Sequence, residues 1–281
     1  MTRLAVEPSR DQADPGTVGV QSHRRRFPRW ALGLIVPVVI VALWELGATT
    51  GAISTRLIPP PSTIAGTLYD LAVSGDLVGH SVSTTLRVLG GFALGATVAT
   101  VLGAATGVSE RFETLFDPTL QALRNIPSIA WTPLFILWFG IFETSKILMI
   151  ALGVFFPVYL TFSGAIASVD RGLVEVGRVY GFGTTKLIGR ILLPASLPTY
   201  LIGLRNGLGL GWMFVVAAEF LGASQGLGYL LVDGQQTGRP ALIIASIVMF
   251  AVLGKLTDRV LRSVGSRFTS WQDGFVRESV S

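Results

Sequence analysis

The chain lacks cysteine altogether and contains only two histidines, His23 and His80, among its 281 residues. Without cysteine there are no disulfides, no thiol nucleophile and no thiolate metal site, and two histidines are too few for a histidine-rich metal centre. Charged residues are also scarce, at 14% of the chain, whereas soluble globular domains carry about 25%. Because so little polar surface is available to face water, the composition predicts a membrane protein.

Long apolar segments are what the chain has instead. Half of its residues are hydrophobic and 33 are glycine, a residue that permits close contact between helices in a membrane. A helix needs about 20 apolar residues to cross a bilayer. Six segments meet this length and predict spans at 30–50, 83–107, 121–141, 145–167, 197–220 and 240–261. We therefore expect an all-α polytopic membrane protein with a transmembrane domain at 30–262.

The two ends of the chain are expected to lie outside this domain. Residues 1–29 are polar, and the basic cluster HRRRFPRW lies where they meet the first span. They are predicted to form a disordered cytosolic arm whose basic end lies at the membrane face. Residues 263–281 are predicted to form a cytosolic tail.

The distribution of Lys and Arg predicts the orientation, because membrane proteins concentrate these residues on the cytosolic side. If the amino terminus is cytosolic, 17 of the 22 Lys and Arg residues lie inside and Arg205 lies within a span. The outside receives only Arg56, Arg87, Lys146 and Arg239. Both termini are therefore expected to be cytosolic. The net charge of +5 then reflects orientation, and no nucleic-acid partner is expected.

A short helix is predicted between the first two spans. The prolines at 59–61 end any preceding helix, and Ser62 or Thr63 is suited to cap a new one. Ile64, Leu68 and Leu71 then recur at helical spacing. We expect an amphipathic helix that lies on the membrane surface.

The loop at 168–196, on the predicted cytosolic side, is long, basic and rich in glycine. Its charged residues from 171 onward are Arg171, Glu175, Arg178, Lys186 and Arg190. Gly181 and Gly183 separate two predicted short helices, and Thr184 or Thr185 is placed to cap the second. That second helix is expected to end at Pro194 and Pro198, before the next span. Charge alone would suit contact with lipid headgroups, but a structured helical pair favours docking of a cytosolic protein.

This loop resembles the EAA loop of the permease subunits of bacterial ATP-binding-cassette importers. The family pattern reads E-A-A, three residues, G, nine residues, then I-x-L-P. The matching residues are Glu175, Gly181, Ile191, Leu193 and Pro194, and Val176 and Gly177 replace the two alanines. The resemblance implies that the segment holding Glu175, Val176, Gly177, Arg178, Tyr180 and Gly181 is a coupling helix that docks into an ATPase. Capping of a helix start is the competing role for Glu175.

The resemblance covers about residues 55–265 and is similar in detail to the nitrate, sulfonate and taurine branch of the family. It rests on segments such as LRNIPSIAWTPLFILWFGIFETSK and WMFVVAAEFLGASQGLGYLL. It implies the type I permease fold in the bacterial inner membrane, working as a homodimer with two cytosolic ATPase subunits and membrane lipid around it. A periplasmic or lipid-anchored binding protein would deliver the substrate. ATP and Mg would be bound by the ATPase, so no cofactor or metal is expected in this chain.

Two glycine motifs suggest nucleotide sites only superficially. GFGTTK at 181–186 has Thr185 before the lysine and Leu187 after it, whereas a phosphate loop needs Gly before and Ser or Thr after. GLGLGW at 207–212 lies inside an apolar span with no preceding strand, where close helix packing is the better interpretation. The chain is therefore expected not to be an enzyme.

Polar and aromatic residues within spans three to five are candidates for the translocation path. They are Asn125, Trp131, Trp138, Arg205, Asn206, Trp212, Met213 and Glu219. An ionisable residue inside a membrane is costly and suggests a function. For Arg205 three roles stay open: extension to the cytosolic face, contact with an anionic substrate, or an intramembrane ion pair. The tryptophans are either packing or interface residues or part of a gate.

The predicted function is that of the permease subunit of an importer for a small anion such as a sulfonate, taurine or nitrate. The same fold importing a neutral or cationic molecule, such as a vitamin precursor, is the first alternative. A channel or a lipid-interacting scaffold is the second. The sequence alone does not choose the substrate, because the binding protein carries much of the specificity.

Overall fold

The computed structural model describes residues 29–220 and 222–269, and no strand occurs among them. The all-α prediction is confirmed. The helices are α1 Arg29–Thr49, α2 Pro61–Ser74, α3 Asp76–Val108, α4 Glu110–Arg124, α5 Thr132–Phe139, α6 Glu143–Ala167, α7 Arg171–Val179, α8 Thr184–Leu187, α9 Leu193–Phe220, α10 Leu227–Gln236 and α11 Pro240–Phe268. The predicted arm at 1–29, apart from Arg29, and the tail beyond Thr269 lie outside the described residues. Residues from Trp44 onward form one compact unit, and the packing below concerns that unit.

Four helices in the described part are long and apolar enough to cross a membrane. They are Asp76–Val108, Glu143–Ala167, Thr184–Phe220 and Pro240–Phe268. Each of these four helices contains one of the predicted spans, namely 83–107, 145–167, 197–220 and 240–261 in that order. Helix α1 has 21 residues and coincides with the predicted span at 30–50.

The predicted span at 121–141 is not one helix. Helix α4 begins at Glu110 and ends at Arg124, a 3-10 turn covers Ser128–Trp131, and α5 begins at Thr132. Pro127 explains the break, because proline lacks an N–H and disfavours helical geometry at the preceding residue. Hydropathy alone predicted one continuous span here, whereas the structure has two separate short helices.

Helix α6 lies at the centre and packs against both α3 and α9, which also contact each other. Glycines allow this close packing: a Cβ built on Gly91 would lie 2.5 Å from Cγ2 of Ile150, and one on Gly207 would lie 2.7 Å from Cγ2 of Val158. The fully buried Val154 lies between them in the main apolar core. Gly91 and Gly207 thus let α3 and α9 approach α6 closely, as small residues do between membrane helices.

Helices α2, α10 and α11 pack as a second group around the buried residues Leu227, Leu230 and Leu242. The expectation for α2 is wrong in one respect: Ile64 is buried and Leu71 packs against this cluster, so the predicted apolar face points into the protein. The reason is that α11 offers an apolar partner surface.

Glu45 holds the start of α2 in place. It accepts hydrogen bonds from the backbone N–H of Ser62, at 3.0 Å, and from its hydroxyl, at 2.8 Å. A carboxylate at this position is favoured because the first N–H groups of a helix have no partner within the helix.

Candidate functional site

Helix α7 is the segment that the sequence identified as the coupling helix. Asp170 caps its first turn, accepting a hydrogen bond from the N–H of Gly172 at 2.8 Å. Glu175 therefore lies in the middle of the helix and is exposed, not near its start as expected. Since Asp170 fills the cap position, Glu175 is free for another contact.

The end of α7 depends on two glycines with different roles. Gly181 has φ +70°, the left-handed conformation that closes many helices, and the N–H of Phe182 returns to the carbonyl of Gly177 at 3.0 Å. Gly177 is buried, and a Cβ at that position would lie 2.6 Å from Cδ1 of Ile191. Glycine in place of the family's alanine thus lets α7 pack directly against the segment leading to α9.

The outer face of α7 is apolar and uncovered. Val179 is 86% exposed and Tyr180 is 76% exposed, and Leu173 and Val176 share the face at helical spacing. A continuous exposed apolar face of this kind is a candidate interaction surface. Leu173 and Val179 lie outside the family pattern, although the spacing of three residues from Val176 to each of them was readable in the sequence.

The segment after Gly183 does not end at Pro194 as expected, and Pro198 also lies inside a helix. Helix α8 passes through a π turn at Ile188–Leu192 directly into α9, so one helix runs from Thr184 to Phe220. Proline in a regular helix clashes with the carbonyl four residues earlier, and a π turn gives the extra room. Ile191, Leu193 and Pro194 therefore lie in a continuous connection between the loop and the central helices.

A buried polar cluster joins α3, α6, α9 and the start of α10. Arg87 donates from Nε and Nη2 to both carboxylate oxygens of Glu143, at 2.6 and 2.8 Å, and from Nη1 to Glu219 at 2.6 Å. Lys146 donates to Glu143 at 3.1 Å. The two cations and two carboxylates balance, which is what burial of charge requires.

Glu219 is the most enclosed member of this cluster, with a fully buried side chain. It also accepts from the hydroxyl of Thr84, at 2.8 Å, and from the N–H of Gly228, at 2.7 Å. Because Gly228 lies in the first turn of α10, the carboxylate caps that helix. The sequence singled out Glu219 as a path residue and counted Arg87 and Lys146 only as charges on the external side of the membrane. It did not predict that these groups meet, since hydropathy does not show which charges are close in space.

Arg205, for which three roles were open, forms an ion pair within the described residues. Its Nε and Nη2 donate to the two oxygens of Asp258 on α11, at 2.8 and 3.0 Å. About a third of each side chain is exposed. The paired geometry fixes the orientation of the guanidinium between α9 and α11.

The structure places the other path candidates in two groups. Trp212 is buried, and its Nε1 donates to Thr257 at 2.8 Å, which makes it a packing residue between α9 and α11. Those that the single chain leaves exposed are Asn125, Trp138, Asn206 and Met213, with Trp131 half-buried. A path shared with a second chain would be lined by exposed residues, so these exposed residues remain candidates for the translocation path.

Comparison with known proteins decides the family. Residues 91–270 match the family described as the binding-protein-dependent transport system inner membrane component. The chain belongs to this family. The predicted class, permease subunits of bacterial ABC importers in the sulfonate and taurine branch, is confirmed, and such permeases are the non-catalytic, multi-pass membrane part of the transporter.

Relatives whose names state a substrate extend the comparison. The putative aliphatic sulfonates transport permease protein SsuC of Bacillus subtilis is 43% identical over 90% of this permease and 91% of its own length. The taurine transport system permease protein TauC of Escherichia coli is 31% identical, over 89% and 95%. The riboflavin transport system permease protein RibX of Chloroflexus aurantiacus is 33% identical, over 84% and 91%.

Among solved structures, the inward-facing MetNI methionine ABC transporter matches this permease with a TM-score of 0.63. The match covers 70% of this chain and 98% of that one, at 17% identity. At that identity the likeness concerns the fold, which is the type I permease fold expected from the sequence.

Proposed function

We propose that this permease forms the membrane path of an ATP-driven importer and that α7 docks into a partner ATPase. The carrying observation is the exposed apolar face of α7, with Val179 and Tyr180 at its end. Aromatic and apolar side chains that are open in the free protein are typical centres of a protein interface.

Force from the ATPase has a short route to the membrane helices. Gly177 packs against Ile191, and Ile191 lies within the helix that continues to Phe220. Movement of α7 is therefore transmitted to α9 without an intervening flexible loop. In this proposal two ATPase subunits bind ATP and Mg, close on ATP and reset on hydrolysis.

The working unit is proposed to be a two-fold homodimer in the inner membrane, with both termini cytosolic. Exposed positions on α9, such as Asn206 and Met213, would face a path shared between the copies. A binding protein would deliver substrate from the opposite side. Measurement of the mass of the purified complex checks this arrangement, which requires two permeases for two ATPases.

The proposed cargo is a small organic sulfonate, since SsuC and TauC relatives are named for aliphatic sulfonates and taurine. Import of a neutral vitamin-like molecule is the second candidate, because a riboflavin permease is 33% identical to this chain. Uptake into proteoliposomes holding the full transporter and its binding protein separates them. We expect an alkanesulfonate or taurine to be taken up and to stimulate ATP hydrolysis; uptake of riboflavin alone would refute the sulfonate assignment.

The docking role of α7 has its own test. Val179→Ser together with Tyr180→Ala should lower co-purification of the ATPase at least tenfold, because truncation of interface centres costs about 2 kcal/mol or more. Glu175→Ala is the matched control: it lies on the same helix, is exposed, and should have a smaller effect. Equal co-purification of the double variant and wild type would contradict docking through this face.

A further inference from the structure

A cleft of about 300 Å³, lined by both polar and apolar residues, lies between α9 and the last turns of α11. Its polar lining consists of Thr199, Arg205, Arg262, Ser266 and Thr269. The helices cross closely beneath it, since a Cβ on Gly265 would lie 3.1 Å from Leu201. The hydroxyls of Ser266 and Thr269 donate to backbone carbonyls of α11, at 3.0 and 3.3 Å. The two guanidinium groups and the hydroxyl of Thr199 therefore form the donor set that suits an oxyanion.

The two arginines of the cleft differ in what holds them. Asp258 accepts hydrogen bonds from Nε and Nη2 of Arg205. Within the described residues, Nη1 of Arg205 makes no hydrogen bond. Arg262 is exposed on α11, one turn after Asp258. With one carboxylate against two guanidinium groups, the cleft keeps a net positive charge. A ligand in the cleft would therefore meet Arg205, whose guanidinium is held in place by Asp258, and Arg262, whose guanidinium is free to move.

Helix α11 separates this cleft from an apolar surface. Exposed apolar side chains recur every four residues along one face: Val252, Leu256, Val260, Val264 and Phe268. Lys255, Arg259 and Arg262 lie on another face. An apolar face of this kind suits lipid tails, so the basic face and the cleft are turned away from that surface.

The exposed face of α9 leads towards the same cleft. Thr199, Ile202, Asn206, Gly209 and Met213 are exposed and follow one another at intervals of three and four residues, which places them in one row. The row includes Asn206 and Met213, the exposed path candidates of this helix. It ends at Thr199, which is part of the cleft.

We propose that this cleft is an oxyanion site for the sulfonate group of the substrate, at the cytosolic end of the path. The inference rests on the proposed function, because it needs a sulfonate cargo and cytosolic ends of α9 and α11. Binding is non-covalent, through Nη1 of Arg205, the guanidinium of Arg262 and the hydroxyl of Thr199. Solvent exposure keeps each contact weak, so the site holds the anion briefly and releases it.

Removal of one exposed donor tests the site without disturbing the fold. The purified permease–ATPase complex is titrated with a short alkanesulfonate, without binding protein, by calorimetry in a zwitterionic detergent. Arg262→Gln should raise the Kd about fivefold, because an exposed contact between opposite charges contributes up to about 1 kcal/mol. Arg259→Gln is the matched control, an exposed cation on the same helix outside the cleft lining, and should bind like wild type.

Each outcome bears on the proposal. Equal Kd values for Arg262→Gln and Arg259→Gln would overturn the site, as would loss of sulfonate binding when phosphatidylglycerol is added, which would assign the cleft to a lipid phosphate. Proteoliposome uptake by wild type keeps the two ideas apart. If wild type imports sulfonates but the two variants bind alike, only the oxyanion site fails; if wild type imports none, the proposed cargo fails.

Discussion

At the residue scale, Gly181 is required by its own backbone. Its φ of +70° is a conformation that residues with a Cβ rarely adopt, while no heavy atom lies within 4 Å of the position a Cβ would take. The sequence assigned this glycine to the separation of two short helices. The structure supplies a reason within the chain, because the left-handed residue ends α7 and turns the chain towards α8.

Gly181→Ala should therefore strain the turn by about 1–2 kcal/mol and weaken co-purification of the ATPase. Gly183→Ala is the control: Gly183 lies two residues later, also in open space, but with φ −68°. It should be tolerated. If both variants bind the ATPase equally well, the turn is not what positions α7.

The buried cluster around Arg87 yields a second prediction at this scale. Glu219→Gln removes the negative charge that meets Nη1 of Arg87, and loss of one partner of a buried pair costs about 3–5 kcal/mol. The detergent-purified variant should unfold at a clearly lower temperature. Glu143→Gln should cost less, because Glu143 is half-exposed and water can replace part of its contacts. The reverse order of the two would show that the cluster is not held by Glu219.

At the scale of elements, α9 packs closely on α6 only where a glycine of α9 faces α6. Gly207 faces α6, where a Cβ would lie 2.7 Å from Val158, whereas a Cβ on Gly209 meets no atom within 4 Å. Gly207→Leu should overpack this contact and cost about 1–3 kcal/mol, seen as a lower unfolding temperature. Gly209→Leu makes the same chemical change on the same helix and should leave that temperature near wild type. Equal losses would mean that the contact of this face with α6 does not control the result.

The connection from α7 to α9 is the element that would link docking to transport in the proposed mechanism. A break at Pro194 would have isolated the loop from the membrane helices. The π turn at Ile188–Leu192 instead accommodates Pro194 and keeps the helix continuous. The loop and α9 therefore form one mechanical part.

At the scale of the whole molecule, the absence of cysteine makes orientation directly measurable. A single cysteine introduced at Gln236, exposed at the end of α10, should react with a membrane-impermeant maleimide added to intact cells from outside. One at Ser263, exposed near the end of α11, should react only after the membrane is opened. Labelling of Ser263→Cys in intact cells would reverse the proposed orientation.

The sequence by itself determined the class of molecule and its family. Scarcity of charge and long apolar segments required a membrane fold, because an exposed chain of this composition cannot be solvated. The spacing from Glu175 to Pro194 identified the loop between α6 and α9, since a short helix and its end are encoded locally by neighbouring residues. These features need no knowledge of which segments meet in space.

Only the tertiary structure decided how distant residues combine. Hydropathy is averaged over a window, so it joined 121–141 across Pro127 and could not separate the inward face of α2 from a lipid-facing one. Arg87 pairs with Glu143 and Glu219, which lie 56 and 132 residues further along the chain. Arg205 pairs with Asp258, which lies 53 residues further along. Local pattern carries no information on such distances, and the sign of a charge does not reveal whether it faces water or an opposite charge. The packing of α3, α6, α9 and α11 brings these groups together.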